Sequence, residues 1–119
     1  MHPKTRYLFT ASMDVDPEKE ALFNEVYDTE HIPTLLKVPG VLAVQRYTLE
    51  PLELSIGGEV KTIIAGGNAK YSAMYELANA EVLTSPQWAK AVEAGRWPKQ
   101  VRPYTHNRHH TLRKLMGAK

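Results

Sequence analysis

Residues 27 to 49, YDTEHIPTLLKVPGVLAVQRYTL, decide how the chain is read, because they carry it from a helical period through a stop and into a strand. Just upstream, Leu22, Phe23, Val26 and Tyr27 fall at i, i+1, i+4 and i+5, one apolar stripe over two turns, with Glu18, Lys19 and Glu25 largely elsewhere. Leu35 and Leu36 resume that packing before Val38-Pro39-Gly40 ends the element. From Val41 to Leu49 the residues become β-branched and aromatic, which reads as a strand. Inside the helix, Pro33 has no N–H for the Thr29 carbonyl and disfavours helical geometry at Ile32, so a kink or break is expected at 29 to 33. His31 would then sit at a bend, from which an imidazole reaches a cavity mouth more easily than from mid-helix.

Working outward, residues 5 to 13 alternate Tyr7, Phe9, Ala11 and Met13 against Leu8, Thr10 and Ser12, a first strand. Asp16-Pro17-Glu18 supplies an N-cap, a first-turn proline and an acid at the positive end of the helix dipole. Residues 51 to 69 carry two glycine pairs around a short apolar segment and read as a long excursion, an irregular hairpin. Residues 70 to 78 alternate Tyr71, Ala73, Tyr75 and Leu77 as a third strand. SPQWAKAVEAG, 85 to 95, has a serine cap, a proline at the first helical position and a terminal glycine, a second helix; 104 to 115 is β-permissive and makes a fourth strand. The order β-α-β-β-α-β is that of the α+β ferredoxin-like fold: one antiparallel sheet with two helices on one face.

At 119 residues the chain fits one domain spanning 1–119. No run approaches the roughly 18 apolar residues of a membrane span, and the N-terminal stretch reads as a strand rather than a signal peptide. With no cysteine there is no disulfide, thiolate nucleophile or Cys-based metal site, which fits a cytoplasmic protein. Net charge is +2 but uneven: seven Lys/Arg and no acid follow Glu93, leaving the first 93 residues at −5. Such asymmetry suits a nucleic-acid-binding tail or a surface that meets an acidic partner, a second copy included. Because the strands look apolar or aromatic on both faces and the helices cover one, the other face is expected to pack against a second copy in a two-fold dimer.

The stretches SMDVDPE, FNEVYDTEHIP, KVPGVLAVQRY and RPYTHNR resemble the dimeric α+β barrels, especially the EthD-like group, over most of the chain; only 51 to 69 fall outside the pattern. The resemblance implies a homodimer with a cavity in each subunit, used for small organic molecules: cofactor-free oxygenation, lactone isomerisation, cyclisation of polyketide-like chains, or haem handling. Architecture is shared more widely than chemistry, so the reaction must come from the site.

His31 is the candidate catalytic residue, a proton carrier for a carbonyl- or phenol-containing ligand, with Asp28 or Glu30 near enough in sequence to orient the ring and raise its pKa. The competing reading is a histidine that hydrogen-bonds a freed carbonyl. For the ligand, six aromatic residues, Tyr7, Tyr47, Tyr71, Tyr75, Trp88 and Trp97, offer apolar walls and hydroxyl donors, and one or two of them are expected to face the cavity, with Tyr7 and Tyr47 the favoured pair; Arg46 offers a carboxylate partner or an interface ion pair. In His106-Asn107-Arg108-His109-His110, a regular strand puts 106, 108 and 110 on one face and 107 and 109 on the other, which disfavours a metal site. No phosphate-cradling loop, dinucleotide fingerprint or serine-hydrolase elbow is present. The expectation is an enzyme with neither metal nor organic cofactor, an oxygenase, isomerase or cyclase, acting on a small hydrophobic or aromatic molecule. The alternative is a non-catalytic ligand-binding or stress-related homodimer; nucleic acid is the least favoured partner and a membrane is not expected.

Overall fold

The computed structural model describes residues 1–63 and 66–117. Strand β1 (Tyr7–Val15) leads through a single 3-10 turn at Pro17–Lys19 into helix α1 (Glu20–Val26). A wide π-helical turn, Tyr27–His31, joins it to α2 (Ile32–Leu35), and β2 follows at Val41–Thr48. Strands β3 (Leu52–Ile56) and β4 (Glu59–Ile63) form the excursion, β5 is Tyr71–Leu77, α3 is Pro86–Ala91 and β6 is Thr105–Lys114. The main sheet runs β2-β5-β1-β6 with every pair antiparallel, the ferredoxin-like α+β order expected from the sequence.

The helix does not break at Pro33. Its backbone stays helical through His31 (φ −64°, ψ −54°) and Ile32 (φ −61°, ψ −50°), and the Ile32 N–H bonds to the Tyr27 carbonyl five residues back. Widening the turn by one residue shifts the hydrogen-bond register ahead of the proline, so the missing donor is absorbed without breaking the helix. The Thr29 hydroxyl donates to the Glu25 carbonyl, 2.7 Å away. At the helix start Pro17 takes the expected position, but the Asp16 carboxylate makes no capping bond and instead lies 3.3 Å from His106 Nδ1. Ser85 does cap α3, accepting from the Trp88 N–H at 3.2 Å.

One face of the sheet is buried under the helices. Ala11, Met13 and Val15 from β1 and Tyr71, Ala73, Tyr75 and Leu77 from β5 meet Phe23, Val26, Tyr27 and Leu35. A register shift between Val41 and Ala43 puts Val41 opposite Leu77 and Val44 opposite Tyr75, so both valines share that covered face. The other face is mixed rather than apolar throughout: Thr10, Ser12, Ser72, Gln45 and Thr111 lie among Leu8, Met74 and Tyr47 in the aligned registers. The Ser12 and Ser72 hydroxyls hydrogen-bond at 2.7 Å.

Among the described residues strands β3 and β4 pair only with each other, turning at Gly57 and Gly58, whose φ of 62° and 80° are left-handed and easy only for glycine. All ten strand residues are exposed, Leu52, Leu54 and Ile56 included. This arm gives the chain a radius of gyration of 16.1 Å, where a compact chain of this length has about 13–14 Å. No helix among the described residues is long and apolar enough to cross a membrane.

Candidate functional site

Two π-helical turns face each other at the edge of the helical layer: Tyr27–His31, and Trp97–Val101 after α3. Such turns displace side chains from the regular helical positions. Here they bring His31 flat against Trp97, ring centroids 4.3 Å apart and planes within 18°, with Tyr27 edge-on to both. A clamp holds them in place. Glu30 accepts from the Arg96 backbone N–H at 3.1 Å and from its guanidinium, while Gly95 (φ +68°) brings the backbone so close that a Cβ would lie 2.7 Å from Glu30 Oε1.

His31 is 7 % exposed, and its Nδ1 is buried with no hydrogen-bond partner. Burial, reinforced by the nearby charge of Arg102, lowers its pKa to about 4, so the ring is neutral at pH 7. The expected carboxylate partners are engaged elsewhere: Asp28 pairs with Arg46 at 2.9 Å and Glu30 with Arg96. The shift is therefore downward where a carboxylate neighbour would have raised it.

The ring lines a cavity of about 270 Å³ between the helices and β1, β5 and β6. Phe9, Trp88 and Trp97 supply aromatic walls. Tyr27 and Tyr75, each 2 % exposed, meet hydroxyl to hydroxyl at 3.0 Å, and burial raises both phenol pKa values, keeping them protonated. Such a pair consumes one of its two O–H protons internally, leaving the other for an acceptor in the cavity. At the β6 side stand Arg102, Arg108 and His110. The His110 ring stacks on Phe9, and burial, then Arg108 and His109, depress its pKa.

Of the residues singled out in the sequence, His31, Tyr75, Trp88 and Trp97 come together in this cavity, whereas Tyr71 does not line it. Tyr7 lines a separate surface hollow with Arg6 and Leu8. Tyr47 is exposed and bonds Gln45 at 2.8 Å. Arg46 lies over the Tyr27 ring, 4.6 Å from its centroid, and bonds Asn24 at 2.8 Å as well as Asp28, so it backs the cavity wall without lining the cavity. Tyr27, Arg102 and Arg108 also line it without having been singled out in the sequence. Tyr27 had a signal, since i and i+4 on a helix share a face with His31. Arg102 had none, because its place depends on the fold of the loop before β6.

The histidine-rich stretch is re-aimed by a bulge. Ser12 pairs with His109 but Asp14 pairs with His106, and Asn107 at φ +50° takes up the extra residue. His106 consequently turns away from Arg108 and His110 instead of sharing their face. Among the described residues no cluster of three or more His, Asp or Glu side chains is placed to hold a metal ion. At about 270 Å³ the cavity falls just short of the roughly 300–1,000 Å³ of drug-sized sites and is small for a tetrapyrrole.

No protein-family model matches the chain, and no curated protein sequence matches it. Solved structures do match. An EthD family protein from Bacillus halodurans aligns over 92 % of this chain and 99 % of its own, at 16 % identity and a TM-score of 0.56. MhuD from Mycobacterium tuberculosis, a haem degrader with two haems bound in its active site, aligns over 95 % and 98 % at 12 % identity and a TM-score of 0.59. A Bacillus cereus protein assigned as an antibiotic biosynthesis monooxygenase covers 97 % and 95 % at 16 % identity and a TM-score of 0.54. At such identities the likeness concerns the fold, which is the ferredoxin-like α+β fold of the dimeric barrels that the sequence resembled.

Proposed function

We propose that the chain is a small-molecule enzyme that moves a proton on a hydrophobic phenol or enolisable carbonyl compound, with His31 as the proton carrier. The observation that carries this reading is a neutral imidazole, buried and partnerless at Nδ1, set in an aromatic cavity beside a pair of protonated phenols. A buried polar nitrogen without a partner costs about 1–3 kcal/mol, so the ring is held in place at the expense of stability, while its remaining exposed part lines the cavity. In the step, the imidazole takes a proton from a C–H or O–H of the ligand. The enolate or phenolate oxygen so formed accepts the spare O–H of the Tyr27–Tyr75 pair, and the imidazolium stands beside an anion in a low-dielectric site. His31, Tyr75, Trp88 and Trp97 are the proposed site residues retained from the sequence; Tyr27 joins them.

A homodimer through the uncovered sheet face is part of the same proposal, as is a ligand of aromatic character; the matching fold of the barrel proteins and the mixed, half-buried outer face support it. The second reading, a non-catalytic binder, is favoured by one observation: among the described residues no carboxylate pairs with His31 to orient it or to share the charge it gains, Asp28 and Glu30 being paired with Arg46 and Arg96. Deuterium uptake from D₂O into benzoylacetone and 2-naphthol, followed by proton NMR, decides between them. Exchange above the buffer rate that His31→Gln abolishes and Tyr27→Phe slows supports proton transfer. Binding of either compound with exchange at the buffer rate supports the binder. A native mass spectrum tests the dimer.

A further inference from the structure

The cavity has a charge pattern that a neutral phenol or ketone would not use. Its charged lining residues are Arg102 and Arg108, and no aspartate or glutamate lines it. The two arginines differ in what they already hold. Arg102 donates to Glu93 Oε2 at 3.0 Å and to the Val92 carbonyl at 2.7 Å, so its charge is largely met and its fork is fixed. The Arg108 side chain has no hydrogen bond or ion pair among the described residues, although those of all five other arginines have one. Its position is set by the β-bulge at Asn107, which is itself fastened by bonds from the Asn107 amide to Asp14 Oδ2 (3.0 Å) and the Gly67 carbonyl (3.2 Å). A fork of five donors with no partner, carried at the rim of an aromatic cavity on a fastened bulge, suits bidentate pairing with a planar anion.

We propose that the ligand of this cavity carries a carboxylate on its aromatic framework, taken by Arg108 at the β6 rim while the ring lies between the aromatic walls toward His31. The proposal rests on the cavity being the ligand site and adds its substrate class. The anchored carboxylate fixes which edge of the ring meets His31 and the Tyr27–Tyr75 pair, so Arg108 sets orientation as well as affinity.

The test compares 2-naphthoate with its neutral isostere 2-naphthamide, by calorimetry or ligand-observed NMR, on the full chain. Binding of the acid at least tenfold tighter than the amide, a preference that Arg108→Gln removes while leaving amide binding unchanged, supports the proposal. Arg113→Gln, which removes the same charge from the opposite sheet face, should keep the preference. Equal binding of acid and amide to the unaltered protein overturns the carboxylate assignment and leaves the cavity reading standing. A preference that survives Arg108→Gln, or that Arg113→Gln removes equally, overturns the role of Arg108. Binding of neither compound overturns the cavity reading itself.

Discussion

The two faces of the main sheet are built from the same strands yet obey different rules. Under the helices, β1 and β5 present Ala11, Met13, Ala73, Tyr75 and Leu77, nearly all sealed from water. On the reverse, the alternate residues Thr10, Ser12, Ser72 and Met74 are only half-buried, and hydroxyls outnumber large apolar groups. The covered face can host a buried, neutral histidine because Tyr27 and Trp97 pack their rings against it and keep most of it from water. The reverse is suited to contact with something wet or adaptable, which in the proposed dimer is the same face of a second copy.

The largest effect should come from the covered side. Phe23→Ala empties a position with no exposure, wedged against Tyr71, Tyr27 and Trp97, and should cost about 3–5 kcal/mol in urea unfolding. Next is acid. The His31 imidazole titrates near 6.5 in the unfolded chain and about 4 in the folded one, so the unfolded chain binds more protons between those values. The stability tied to this group is complete above about pH 6.5 and is lost as pH falls toward 4, amounting to about 3 kcal/mol. His31→Leu should flatten that part of the stability–pH curve; an unchanged slope would mean that the ring is not the group excluded from protonation.

Gly95→Ala should cost about 1–3 kcal/mol, from the left-handed φ and from the overlap with Glu30, and should loosen the stacking of His31 on Trp97. Near-ultraviolet circular dichroism would register the change in the tryptophan environment. The smallest effect is the sharpest for the comparison. If the reverse face meets only solvent, Met74→Ala should cost under about 1 kcal/mol at every protein concentration. A larger cost that varies with protein concentration would show that a second copy covers the face and that the contrast drawn above belongs to the isolated chain.

Much of the fold was legible because its signals are local. The serine cap and following proline of α3, the period-two runs of β1 and β5, and the glycine pair at 57 and 58 each act within a few residues, and each appears where the pattern put it. Pro33 was misleading for the same reason: a local rule gives a broken helix, whereas the chain has a second answer, a wider turn, that packing against Trp97 and the Glu30–Arg96 clamp can select. The site was legible where a residue is unusual in itself. His31 stands out beside a proline, while Arg102 and Arg108 owe their place to a loop and a bulge that no spacing rule encodes. Parity misled at His106, since one extra residue in a strand reverses every face beyond it. The basic end of the chain is likewise partly spoken for: Arg96 and Arg102 pair with Glu30 and Glu93.

The free-standing β3–β4 arm gives the molecule a modular joint. Thr48 lies opposite Tyr71 in the main sheet, and the Leu49 N–H reaches the Lys70 carbonyl at 2.7 Å, so the two ends of the excursion are already closed together beneath it. The two strands, 52 to 63, can be exchanged for a tight turn, a fluorophore-bearing loop or an inserted peptide, provided Gly67, whose carbonyl accepts from the Asn107 amide, is kept so that the β6 rim of the cavity holds its shape. The arm is therefore the position at which this scaffold accepts new cargo.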